Sequence, residues 1–120
     1  MPPAIKAETY KQWDVVKVRI HPQDRDEHPA IILSPNELAS ASREHKVNVL
    51  YGTTKRPAVP VQPGEFVLDE ADGCDHMTVF ECIFFPVIRK EQISSKLGSV
   101  SPARRRPLQQ TIAASLRFFQ

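Results

Sequence analysis

His28-Pro-Ala-Ile-Ile-Leu-Ser34 decides how this chain is read. Ala30 to Leu33 is a short apolar run with Pro29 before it and Ser34-Pro35 after it. That length and those boundaries predict a strand buried on both faces. Pro29 has no N–H to offer a ladder, which places it at the strand's first position or just before it. The loop His21-Pro-Gln-Asp-Arg-Asp-Glu-His28 runs directly into this strand and is dense in ionisable groups. A polar loop held by a buried strand is a common place for a small domain to keep its chemistry.

Upstream of that strand, Val16, Val18 and Ile20 alternate with Lys17 and Arg19, which predicts a half-buried strand over Trp13 to Ile20. Residues 1–12 are polar and aperiodic and read as a loose lead-in. Downstream, Ser34, Pro35 and Glu37 have the spacing of a capping box, with Ser34 as the N-cap of a short helix. Lys46 to Tyr51 is the next strand, stopped by Gly52, with Thr53-Thr54-Lys55-Arg56 where it ends. Pro57, Pro60 and Pro63 exclude a central strand from the segment that follows. Glu65 to Leu68 is a brief strand, and Asp69 to His76 is an acidic turn.

Thr78 to Phe85 alternates again. Phe80, Cys82 and Phe84 form one face, expected to pack with Val16, Val18, Ile31 and Leu33. Val79, Ile83 and Phe85 form the other face, which needs a cover, either a second copy of the chain or the C-terminal helix. Val87-Ile-Arg-Lys90 follows the interruption at Pro86. Ser101-Pro102 resembles a helix start that Pro107 would break or restart. From Leu108, the spacing of Leu108, Ile112 and Leu116, with Ala113 and Phe119 alongside, predicts an amphipathic C-terminal helix. Arg104-Arg-Arg106 reads as an exposed basic helix start. Five or so short strands and a helix suggest a mainly β fold, a small antiparallel barrel of SH3-like or oligonucleotide-binding type.

The 120 residues fit a single domain over 13–120, large enough for its own core. An apolar content of 41% and a charged content of 25% exclude wholesale disorder. The formal charge of +2 is too small to argue for nucleic acid by itself. Cys74 and Cys82, with no apolar run at the N-terminus, point to a reduced cytoplasmic compartment. No stretch approaches the ~20 apolar residues of a membrane-spanning helix. Cys74-Asp-His76 lacks third and fourth ligands at usable spacing, so no metal and no cofactor is expected. It reads instead as a polar turn beside a core thiol.

Four collinear stretches resemble the PemK/MazF family of toxins from bacterial toxin–antitoxin pairs. They are Asp14-Val-Val-Lys-Val18, Pro29-Ala-Ile-Ile-Leu-Ser-Pro35, Val47-Asn-Val-Leu-Tyr-Gly-Thr-Thr54, and Lys96-Leu-Gly98 followed by Ser101 and a final helix. The resemblance implies an SH3-like barrel, a homodimer, and cleavage of single-stranded RNA. It also implies a cognate antitoxin whose disordered segment blocks the RNA groove. Three positions depart from the family pattern. Trp13 stands where a glycine is usual, His28 where an arginine precedes the proline, and Ile83-Phe-Phe-Pro86 where many members carry Asp-Gln-hydrophobic-Arg.

Metal-free RNA cleavage needs a deprotonated 2′-hydroxyl, a stabilised phosphorane and a protonated 5′-oxygen. His28 is the first candidate, because an imidazole with an ordinary pKa of about 6.5 moves protons near neutral pH. His21, at the far end of the same loop, is a second candidate acid or base. The resemblance assigns Thr53 to the scissile phosphate, and Thr54, Lys55, Arg56 and Arg25 offer contacts to the RNA backbone. The departures keep a second reading open, a family member that binds RNA or protein without cutting.

Overall fold

The sheet is organised around one long strand. In the computed structural model, which describes residues 9–21 and 23–117, β3 (Lys46–Thr54) has partners on both edges. One edge takes β2 (His28–Ile32), with Ala30 opposite Tyr51, Ile31 opposite Leu50 and Ile32 opposite Val49. The other edge is shared. Its first half pairs with β6 (Val87–Arg89), and its last three residues pair with β5 (Thr78–Glu81). β1 (Asp14–Val18) and β4 (Glu65–Leu68) extend the order to β4-β5-β3-β2-β1-β7, where β7 is Ile93–Ser99. Every pairing is antiparallel.

β2 is buried on both faces, as its apolar run predicts. Ala30 and Ile32 join Val16, Val18, Val47, Val49 and Ile88 in one cluster. Ile31 points the other way, into a cluster with Val15, Leu50, Leu68, Phe80 and Leu108. Pro29 enters the strand at its second residue, opposite Lys17. The helix after β2 forms as α1 (Asn36–Ala39), but Ser34 does not cap it. Pro35 occupies the N-cap, and the Ser34 hydroxyl instead accepts the Asn48 N–H at 2.9 Å. The neighbouring strand offered a donor that the helix N-terminus would otherwise have supplied.

Three further expectations are corrected. Gly52 does not stop β3. A Cβ there would sit 2.7 Å from Phe80 Cε1, so the glycine is present for close packing inside the strand. The strand therefore carries Thr53 and Thr54 within it. The alternating run 78–85 leaves the sheet after Glu81. Phe80 and Cys82 are buried as expected, but with Ile31 and not with Val16 and Val18, while Phe84 is 65% exposed. Alternation specifies a face only while the chain stays extended, and here it turns. Finally, α2 (Pro102–Leu116) runs straight through Pro107. Proline there removes one backbone bond, which an otherwise helical segment survives when its side chains are held. Leu108 is fully buried and Ile112 packs against the same cluster. Phe119, the lead-in residues 1–8 and Pro22 lie outside the described residues.

The basic run at the start of α2 is not a free cationic patch. Arg104 pairs with Asp69 at 2.9 Å and with the buried Asp72, and Arg105 donates to the Val100 carbonyl at 2.9 Å. Arg106 is exposed. Trp13, in the position where a glycine is usual, has φ of +76°, the left-handed region that glycine enters without cost. Its backbone is held there by an N–H bond to Ile32 and a carbonyl that accepts from Val100.

Candidate active site

Three segments meet at one end of the sheet. The register of β1 against β2 sets His28 opposite Val18, at the mouth of the loop. The register of β3 against β5 sets Thr53 opposite Val79 and Thr54 opposite Thr78. The chain entering β5 then brings Asp75 and His76 beside them. Together these residues line a cavity of about 360 Å³, with Lys17, Asp26 and Glu27 completing its polar wall.

Within the cavity, Thr54 Oγ1 and His76 Nε2 lie 3.0 Å apart. Lys17 Nζ is 2.9 Å from Asp75 Oδ2. That hydrogen-bonded pair raises the ammonium pKa and lowers that of the carboxyl. The Glu27 carboxyl is likewise held below its ordinary range, by the Ser94 hydroxyl and then by Arg19. Arg19 also donates to the Asp24 carbonyl at 2.9 Å, so one guanidinium clamps the loop at two points. The result is a mixed-charge hollow with two imidazoles and three threonines around it. Such groups can move protons and donate to a phosphate oxygen.

Of the residues singled out in the sequence, His28, Thr53 and Thr54 are brought together here. His21, Arg25, Lys55 and Arg56 do not line this cavity. The His21 N–H bonds to the Asp24 carboxylate at 3.2 Å within its own turn. The Lys55 ammonium folds back onto the Arg56 carbonyl at 2.7 Å and onto that of Val59. Arg25 and Arg56 are exposed. His76, Asp75 and Lys17 join the site although no motif in the sequence marks them. Their signal was a histidine two residues ahead of an alternating strand, and its value depends on pairing with β3, which the sequence does not display.

Thr53 also borders a second hollow, of about 640 Å³, lined by Tyr51, Val79, Phe84, Phe85 and Pro86. Its wall is mainly apolar, with Glu65 and Glu81 also lining it. Cys74 and Cys82 are both buried, and burial pushes the Cys82 thiol up to about 11. Among the described residues no group of three or more His, Cys, Asp or Glu side chains is placed to hold a metal ion.

No protein-family model matches the chain, and no curated protein sequence matches it. Solved structures do. An endoribonuclease in complex with its cognate antitoxin, from a mycobacterial species, aligns with a TM-score of 0.72 at 17% identity, covering 91% of this chain and 96% of that one. The Mycobacterium tuberculosis toxin MazF-mt6 aligns with a TM-score of 0.68 at 18% identity, over 85% and 94% of the two chains. A MazE–MazF complex from Deinococcus radiodurans gives a TM-score of 0.67 at 12% identity, over 89% and 94%.

Proposed function

We propose that this chain, which has the SH3-like barrel fold of MazF/PemK toxins with a C-terminal helix, is the toxin of a toxin–antitoxin pair. It cuts single-stranded RNA in the cytoplasm without a metal ion. The observation that carries the reading is the convergence of His28 and Thr53, from two different strands, on one polar cavity in this fold. In the reaction His28 accepts the 2′-hydroxyl proton and the 2′-oxygen attacks phosphorus. Thr53 donates to a non-bridging oxygen as charge builds there. Arg25 and Arg56, exposed on loops beside the same strand ends, attract the RNA backbone.

Two partners follow. The structures aligned above include toxins held by antitoxins, which supports an antitoxin for this chain. The second partner is another copy of the chain. Ile83 is 51%, Phe84 65% and Val87 59% exposed, and α2 leaves an open groove beside Ile83 and Phe84 instead of covering them. Large exposed apolar side chains commonly mark an interface.

The test is incubation of the pure protein with mixed single-stranded RNA in EDTA. Fragments ending in a 2′,3′-cyclic phosphate with 5′-hydroxyl partners are expected. A second reading, binding without cleavage, is favoured by the apolar hollow at Phe84, Phe85 and Pro86, where the resemblance would place polar groups. RNA retained but never cut in that assay would establish it.

A further inference from the structure

We propose that His76 is the general acid of this site, protonating the departing 5′-oxygen, and that Thr54 is the residue that positions it. The inference rests on the nuclease reading above and extends it to a residue that neither the sequence motifs nor the resemblance assigns.

The proposed reaction still lacks a proton donor for the leaving group. His28 and Thr53 account for the attacking hydroxyl and the phosphate, but the bond to the 5′-oxygen breaks only as that oxygen gains a proton. A donor must stand across the scissile phosphate from the base. His76 meets that condition. It arrives on the segment before β5, whereas His28 arrives on β2, and both line the same cavity as Thr53. Its ring is fixed through Nε2, 3.0 Å from Thr54 Oγ1. Among the described residues Nδ1 has no hydrogen-bond partner, which leaves that nitrogen for substrate.

The charged and titratable groups that line the cavity with His76 come from three segments. From its own segment Cys74 and Asp75 face the cavity, from β1 Lys17, and from the loop and start of β2 Asp26, Glu27 and His28. Three of these are carboxylates and one is an ammonium, the Lys17 ammonium being paired with Asp75. The step balances. The 2′-hydroxyl proton goes to His28, and the bond from the 2′-oxygen to phosphorus forms as the bond from phosphorus to the 5′-oxygen breaks. The leaving oxygen takes the imidazolium proton of His76, and water later returns both histidines to their starting states.

The experiment compares two dinucleotide-containing RNA substrates that differ only in the leaving atom, 5′-oxygen or 5′-sulfur. A thiolate leaves without protonation, so loss of a general acid is silent on the sulfur substrate. His76→Ala should cut kcat by ~10²–10⁴-fold on the oxygen substrate, the usual worth of a positioned acid. It should come within about tenfold of wild type on the sulfur substrate, and lose the alkaline limb of the pH profile. Thr54→Val should show the same pattern more weakly, with recovery in Thr54→Ser. Thermal unfolding of each variant, expected unchanged at these exposed positions, guards against a folding defect. Equal losses on both substrates, or full activity in His76→Ala, would overturn the assignment while leaving the nuclease reading intact. A wild type that cuts neither substrate would overturn both.

Discussion

Gly52 and Phe80 face each other across the β3–β5 pairing so closely that a Cβ on the glycine would meet the Phe80 ring at 2.7 Å and the Thr78 methyl at 2.6 Å. Glycine is disfavoured in strands by about 0.5–1 kcal/mol relative to alanine, yet overpacking a rigid core costs about 1–3 kcal/mol. The packing term is the larger. Gly52→Ala should therefore destabilise the protein by about 1–2 kcal/mol, measured by urea unfolding. Because Thr53 and Thr54 follow directly, the same change should shift the cavity. A neutral or stabilising result would mean Phe80 can move aside.

The ion pair between α2 and the turn after β4 should matter more than its surface location suggests. Asp72 has no exposed side-chain area, and Arg104 is its cation. Removing one partner of a buried pair leaves an uncompensated charge, at a cost of about 3–5 kcal/mol. The Ser101 N–H, 2.8 Å from Asp72 Oδ1, softens that loss. Arg104→Ala should cost about 2–4 kcal/mol, and Asp72→Asn in the same chain should recover part of it.

Acid should reveal the same contact. The Arg104 hydrogen bond, and then the Ala71 N–H, hold the Asp69 carboxyl below its ordinary value. A carboxyl whose folded pKa is depressed contributes stability above its unfolded pKa, and that contribution disappears as pH falls through the folded value. Stability should accordingly decline below about pH 4 in wild type, more steeply than in Arg104→Ala. Parallel slopes in denaturation titrations would show that Asp69 is not coupled to Arg104.

Sedimentation tests the interface. The chain of 13.6 kDa should run as a species of twice that mass at micromolar concentration. Phe84→Glu, at a position 65% exposed in the single chain, should return it to 13.6 kDa without loss of fold. A wild type already at 13.6 kDa would leave the apolar face to another partner.

At the reacting centre, His28→Ala should lower the rate by ~10²–10⁴-fold, as expected for a lost general base. Thr53→Ala should cost about 1.5–3 kcal/mol, roughly ten- to 150-fold in rate, since it removes a hydrogen bond to a charged phosphate oxygen. His28→Arg separates two roles. Activity equal to wild type would show that charge, not proton transfer, is what this position supplies.

The mainly β character, both-face burial of Ala30 to Ile32, the short helix after β2, and the β4 segment Glu65–Leu68 could all be read along the chain. So could His28 and Thr53 as candidates. These readings depend on local composition and on the period of apolar residues, properties that a short window contains. Tertiary structure alone decided the rest. Ser34 was free to cap a helix until Asn48 claimed its hydroxyl, and Gly52 was a stop signal until Phe80 showed why no side chain fits. Arg104 was a surface charge until the fold set it beside Asp69 and Asp72, more than thirty residues away. His76 entered the cavity only because β5 pairs with the last residues of β3, putting Thr78 opposite Thr54 and the preceding imidazole within 3.0 Å of that hydroxyl. Hydrogen bonds and steric fit act over a few ångströms in space whatever the separation in sequence, so the groups they select become visible only once strands are paired.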